Sequence, residues 1–169
     1  MMVDIQILQT ISIAIASGGV FLAAIYYIIQ IRHQTRIRRT DLITRLVSTA
    51  GTKEYTEALF RVMALEFRDY DDFVKKYGSI PSLNPDQMAF RMICVFHEEV
   101  GMLLRRKLVE PDLIYDLFLV APLWEKVKPI VEGLRKQLNE ARAYGWFEYL
   151  HNEMKKREQQ LQQDGVKNG

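Results

Sequence analysis

The feature that most constrains this chain is a long segment without charge near its start. Between Ile5 and Ile31 there is no charged residue. A helix needs roughly 20 apolar residues to cross the hydrocarbon core of a membrane, so the segment 5–31 predicts a transmembrane helix with room to tilt. Five arginines then follow within fourteen positions: Arg32, Arg36, Arg38, Arg39 and Arg45. A basic stop of this kind is typical of the cytoplasmic end of a span.

A cleavable signal peptide and a buried core helix are the alternative interpretations of this segment. A core helix usually has a shorter apolar stretch. A signal peptide starts with basic residues, whereas Asp4 precedes this run and no base does. The sequence therefore favours a retained single span. Within it, Ala14 with Gly18 and Gly19 with Ala23 have the spacing that lets two spanning helices approach closely, which leaves a homo-oligomer open.

The distribution of charge predicts the orientation of that span. The segment 32–45 contains five arginines and one aspartate, a net charge of +4, whereas the whole chain has +2. Lys and Arg close to a span stay on the cytoplasmic side. We therefore predict a short extracytoplasmic N terminus over 1–4, a basic juxtamembrane helix over 32–50 and a cytoplasmic remainder. Each arginine near an anionic leaflet contributes about 1 kcal/mol, so the five arginines are predicted to lie against anionic lipid headgroups.

Several classes of function have no support in the sequence. Lysines and arginines do not cluster with aromatic residues on one face, so no nucleic-acid partner is predicted. Cys94 is the single cysteine, which excludes an intrachain disulfide and a Cys-x-x-Cys motif. The chain also lacks a P-loop, a Gly-x-Gly-x-x-Gly loop, a nucleophile elbow and a His-Glu-x-x-His motif. We therefore predict neither a cofactor nor catalytic residues.

The rest of the chain shows helix-start signals and no strand alternation. We expect an all-α fold, with a compact bundle of about five helices over 51–155 and a polar, frayed tail over 156–169. The absence of Gly and Pro between Val20 and Ala50 predicts that the first helix continues to Gly51. Further starts are predicted by a capping Thr52, the aspartates from Asp69, the Asn84-Pro85 pair, Pro111 and Pro122, while Pro129 should kink or divide its helix.

Three runs in the C-terminal half carry a resemblance. They are Phe-His-Glu-Glu-Val-Gly at 96–101, Leu-Arg-Arg-Lys-Leu-Val at 104–109 and Asp-Leu-Ile-Tyr-Asp-Leu-Phe at 112–118, with shorter pieces at 124–126, 129–130 and 147–150. In these runs the chain resembles an uncharacterised family of archaeal and bacterial membrane proteins, a domain of unknown function. The resemblance covers most of the chain and implies one N-terminal span with a helical cytosolic domain. It implies no activity.

The helix that follows Asn84 is predicted to form the centre of the domain. Its apolar stripe contains Phe90, Ile93, His97, Val100 and Leu104, and is widened by Met92, Phe96 and Leu103. Charged residues recur along its margin every seven positions, with two more farther round. We predict a structural charge network from these side chains, because structural ion pairs outnumber catalytic carboxylates: Arg91, Glu98, Glu99, Arg105 and Arg106.

A metal site is the sharper hypothesis for the same region. Glu148 and His151 have the Glu-x-x-His spacing that places both side chains on one helix face. The pattern is incomplete for a di-iron bundle, because Cys94 stands three residues before His97, where a second motif needs Glu. A zinc site from Cys94, His97 and His151 would require their helices to converge. We instead expect a core position for His97 and a surface position for His151.

The expected role is a membrane-anchored, non-catalytic interaction or accessory subunit. It would present its helical domain to a protein partner at the cytoplasmic face of the membrane. The alternative is an enzyme or sensor that binds a metal or small ligand between helices, around these residues: His97, Glu98, Glu99, Glu148 and His151. Large aromatic residues such as Trp124 and Trp146 do not separate the two, since interfaces and cores both favour them.

Overall fold

The structure is a computed structural model. It describes the backbone of residues 5–80 and 82–167, and the side chains of 18–163 apart from residues 35, 36, 39 and 81. The helices are α1 (Ile5–Ala50), α2 (Lys53–Ala64), α3 (Tyr70–Tyr77), α4 (Pro85–Arg105), α5 (Pro111–Leu117), α6 (Val120–Leu138) and α7 (Gly145–Lys167). No strand occurs in this part of the chain, and the predicted all-α class is confirmed.

The chain divides into two units, residues 1–41 and 42–169. The first unit contains most of α1. The large apolar side chains of α1 between Val20 and Ile31 are exposed. As predicted, α1 is one continuous helix that ends just before Gly51, whose N–H donates to the carbonyl of Val47.

The predicted transmembrane helix is overturned. Within the described residues, no helix is long and apolar enough to cross a membrane. The predicted residues 5–17 and the N terminus 1–4 lie outside the described side chains. The membrane, single-pass and localisation predictions depended on this span, so they are corrected with it.

The second unit is a helical bundle with α4 at its centre. α4 packs against α2 on one side and α7 on another, while α6 packs against α7 and α3, and α5 packs against α7. In the described backbone six helices, α2 to α7, follow α1, where the sequence suggested about five. The side chains that are closed to solvent come from each of α2 to α7 and include Val62, Phe73, Ile93, Val100, Ile114, Val127, Ile130, Phe147 and Leu150.

The helix starts predicted at Thr52, Asp69 and Asn84 are confirmed by side-chain caps. Thr52 Oγ1 accepts the N–H of Tyr55 at 3.2 Å, and the amide oxygen of Asn84 accepts the N–H of Gln87 at 2.9 Å. In a capping box the side chain of the third helical residue also bonds to the backbone N–H of the capping residue. Gln87 does not make this bond to Asn84. Its Nε2 donates instead to the carbonyl of Gly78 at 2.7 Å, which ties α4 to the preceding loop.

The later helices differ in part from the predictions. Pro129 was expected to kink or divide its helix, and α6 is not divided there but continues from Val120 to Leu138. The polar segment 156–169 was expected to fray, and its described backbone is helical as far as Lys167.

Candidate functional site

His97 lies on the buried face of α4, as predicted. Its Nδ1–H donates to the carbonyl of Ile93 at 2.8 Å, and its ring stacks on Phe147 with centroids 4.6 Å apart. Burial lowers the pKa of His97 to about 4. The imidazole is therefore neutral at neutral pH and belongs to the aromatic packing between α4 and α7.

Glu98 joins the same two helices. Its Oε2 accepts the N–H of Phe147 at 2.8 Å. That N–H lies in the first turn of α7, where amides have no partner within the helix and the helix dipole favours negative charge. The carbonyl of the same peptide unit, from Trp146, lies against Gly101, one turn farther along α4. α4 therefore holds this peptide with a carboxylate at one position and a glycine three residues later.

The structure does not bring the predicted charge network together. Among the described residues, the ion pairs within 4 Å include Arg61–Asp86, Arg135–Glu148 and Arg157–Asp112, and none involves the predicted set. That set was Arg91, Glu98, Glu99, Arg105 and Arg106. Residues seven apart on one helix are separated by about 10 Å, which is too far for direct pairing. Glu98 finds its partner on α7 instead.

The candidate metal ligands also have other partners. Glu148 Oε2 lies 2.8 Å from Arg135 Nη1, and His151 Nε2 lies 3.4 Å from Glu125 Oε1. His151 is only 8% exposed, so its predicted surface position is wrong. Within residues 18–163 as described, no three His, Cys, Asp or Glu side chains are grouped so that they could hold a metal ion.

The arginines predicted at a membrane surface lie on α1. The side chains of Arg32, Arg38 and Arg45 are exposed, and those of Arg36 and Arg39 lie outside the described residues. Their predicted role depended on the span discussed above.

A groove between α2, the end of α1 and α4 was not predicted. We name it the α2–α4 groove. It has a volume of about 400 Å³ and is lined by Tyr55 and Phe96, by the more exposed Met88, Met92 and Val95, and by Glu54, Arg91 and Glu99. Met92 was predicted to widen the apolar stripe of the core, but its side chain is 42% exposed. The spacing of Met88, Met92 and Val95 is itself helical and was the available signal for a second apolar stripe.

A second depression lies on the other side of Arg91 and Val95. We name it the α4–α6 cavity. It has a volume of about 600 Å³ and lies between α4, the end of α6 and the following segment 139–144. Apolar side chains form much of its wall, and Arg91, Glu98, Glu140 and Arg142 also line it. The spacing of charged residues along α4 identified Arg91 and Glu98 as candidates. The α6 residues that line the cavity could not be predicted from local sequence.

A family model described as a domain of unknown function, DUF4760, matches residues 13–154. The chain belongs to this family. The predicted resemblance to an uncharacterised family is thereby confirmed. Neither the curated proteins nor the solved structures include a match. The residues that line the groove and the cavity all lie within this match, so both belong to the DUF4760 domain.

Removing the Glu98 carboxylate is expected to destabilise the domain. Glu98→Ala leaves a first-turn amide of α7 without its acceptor and should cost about 1 to 3 kcal/mol. Glu98→Gln should cost less, because an amide oxygen still accepts this bond. Denaturant unfolding of the purified protein measures both variants. Glu99→Ala is the matched control, since the neighbouring Glu99 is exposed and has no ion pair in the described structure. Equal losses for Glu98→Ala and Glu99→Ala would contradict this role.

Proposed function

We propose that this DUF4760 domain is a non-catalytic interaction module that binds an amphipathic helix of a partner protein in the α2–α4 groove. The exposed apolar face of α4 is the observation that carries the proposal. α4 is otherwise the buried centre of the bundle, yet Met88, Met92 and Val95 are each more than two-fifths exposed. We further propose that such modules occur in archaea and bacteria, as the resemblance of the sequence to that family implies.

The dimensions of this face suit a helix. Met88 and Val95 are seven residues apart, so they span about 10 Å, or two helical turns. A docking helix presents anchors at a similar spacing to a groove of this kind. Methionine side chains are flexible and polarisable, which lets them adjust to the shape of an inserted side chain. Tyr55 and Phe96, whose rings meet edge to face at 4.8 Å, provide a rigid aromatic floor.

The groove is lined by two acids, Glu54 and Glu99, and one base, Arg91, so its charge is negative on balance. Glu54 and Glu99 are exposed, and neither takes part in the ion pairs found among the described residues. Opposite charges across an interface steer association and suppress wrong partners. A helix with an apolar face flanked by lysine or arginine would complement these two acids.

The burial of the reactive groups supports a non-catalytic role. Cys94 and His97 are the thiol and the imidazole of α4, and both are buried. Neither lines the groove or the cavity. Burial raises the pKa of Cys94 well above its usual value, assisted by the negative charge of Glu98, so the thiol stays protonated and unreactive.

Site-specific photocrosslinking in cells of the source organism tests this function. With a photoreactive amino acid at Met88, we expect an adduct whose cross-linked partner segment, identified by mass spectrometry, is a basic amphipathic helix. Met92→Glu should reduce the adduct at least tenfold, because it places an unpaired charge in the apolar contact. The matched control is Leu119→Glu, which changes a side chain that is 73% exposed and lies outside the groove.

Three outcomes would contradict the proposal. The adduct could persist in Met92→Glu, the partner segment could be acidic or non-helical, or the partner could be a second copy of this chain. Thermal melts of both glutamate variants establish that each is folded before the adducts are compared.

A further inference from the structure

We infer that the partner helix lies in the α2–α4 groove in a single direction, antiparallel to α4, with its N-terminal turn beside Glu54 and Glu99. The inference rests on the helix binding proposed above and adds the direction of the bound helix. It follows from the position of the two acids, from the charge at the other end of the groove and from the contact that α4 already makes with the start of α7.

The two acids of the groove lie at the same end, because α2 runs antiparallel to α4. Tyr55, near the start of α2, meets Phe96 with ring centroids 4.8 Å apart. Arg61, near the end of α2, pairs with Asp86 in the first turn of α4 at 3.0 Å. Glu54 precedes Tyr55 and therefore lies level with the second half of α4. The other acid of the groove belongs to that half.

The charge that lines the groove changes sign along α4. Arg91 comes eight residues before Glu99, a distance of about 12 Å along the helix axis, and lies one turn after Met88. Among the described residues, no acid lines the groove at this end. α1 ends and α2 begins at the acidic end, so the dipoles of these two helices oppose each other there. The side-chain charges therefore decide the polarity of the groove.

A bound helix is itself polar along its axis. Its N-terminus carries a partial positive charge and N–H groups without partners in the helix, while its C-terminus carries a partial negative charge. Carboxylates next to the N-terminus stabilise a helix, as do cations next to the C-terminus. Both ends of the partner helix are matched only if it starts beside Glu54 and Glu99 and ends beside Arg91.

α4 already receives the start of one helix through a carboxylate. Glu98 Oε2 accepts the N–H of Phe147, in the first turn of α7, at 2.8 Å. Glu99 is the next residue and lies about 100° farther round the helix, where it is exposed and lines the groove. The Glu99 carboxylate is thus placed to accept a first-turn N–H of the partner helix.

Photocrosslinking from the two ends of the groove tests the direction. Benzoylphenylalanine replaces Met88 in one full-length protein and Thr49 in another. Thr49 is exposed, lines the groove and lies at its acidic end, since its carbonyl accepts the hydroxyl of the α2 cap Thr52 at 2.8 Å. Mass spectrometry identifies the partner residue captured in each adduct. We expect the residue captured from Thr49 to precede the one captured from Met88 by about ten residues, because the acidic end lies about 16 Å from Met88 along α4.

The outcomes separate the direction from the proposed function. The reversed order, or both orders in equal yield, would overturn the direction while the helix binding stands. The lack of an adduct from either position would overturn both.

Variants show whether the acids set the direction. Glu54→Gln/Glu99→Gln should lower the yield of both adducts at least fivefold and mix the two orders, since the acidic end is lost. The matched control, Glu57→Gln/Glu158→Gln, removes the same charge from two exposed side chains outside the groove and should keep the yield and the order. An unchanged yield or a preserved order in Glu54→Gln/Glu99→Gln would overturn the role of the two acids.

Discussion

Gly101→Ala is expected to destabilise the domain by about 3 kcal/mol, because α4 and α7 touch at this residue without space for a side chain. A Cβ atom at Gly101 would lie 2.0 Å from the carbonyl oxygen of Trp146 and 2.6 Å from its carbonyl carbon. Both are backbone atoms, so no side-chain rotation relieves the clash. α7 would have to shift, and the shift would strain the bond between Glu98 and Phe147 N–H.

Denaturant unfolding measures this loss, and Gly145→Ala is its matched control. Gly145 begins α7, and a Cβ atom there would meet nothing within 4 Å. Alanine also favours a helix over glycine by up to about 1 kcal/mol, so the control should be neutral or slightly stabilising. If Gly101→Ala and Gly145→Ala unfold at the same denaturant concentration, the close contact between α4 and α7 does not exist.

Acidification is expected to weaken the domain through His97. Its pKa is lowered to about 4 in the folded protein by burial, against 6.5 in the unfolded chain. The unfolded state therefore binds more protons between these values. Stability from the neutral imidazole is fully present above about pH 6.5 and falls as the pH is lowered toward 4. The loss approaches about 3 kcal/mol at the acidic end of this window.

Comparison with His97→Leu isolates this effect. The variant has an apolar side chain of similar size in place of the imidazole, and this side chain cannot take up a proton. Unfolding free energies are measured for both proteins from pH 7 to pH 4, and the carboxylates common to both cancel in the difference. We expect the wild-type protein to lose more stability than the variant over this range. Parallel curves, or an NMR titration of His97 with an ordinary pKa, would contradict the prediction.

Short-range features of this fold could be read from the sequence. Thr52 and Asn84 cap helices through an amide three residues later, and Gly51 follows the last residue of α1. Such interactions involve neighbours in the chain, so residue type and spacing suffice to predict them. The buried stripe of α4 through Ile93, His97 and Val100 followed from helical periodicity for the same reason.

Periodicity did not show which of two stripes on α4 would be covered. Met92 was assigned to the core and is exposed, whereas the small Gly101 is buried under α7. A stripe is buried only if another helix packs on it, and the order of helices along the chain does not specify that. The charge-free run in α1 was misread in a comparable way, since its length, apolar composition and flanking arginines were taken to assign an environment to that helix.

By itself, then, the sequence determined the all-α class, the starts of α2, α3 and α4, the burial of His97 and the membership of an uncharacterised family. The tertiary structure alone decided the partners: Glu98 with the amide of Phe147, Glu148 with Arg135, and the walls of the groove and the cavity. Phe147 is 49 residues from Glu98. Helix caps and stripes depend on hydrogen bonds and periodicity within a few residues, whereas these partners depend on which helix faces pack together.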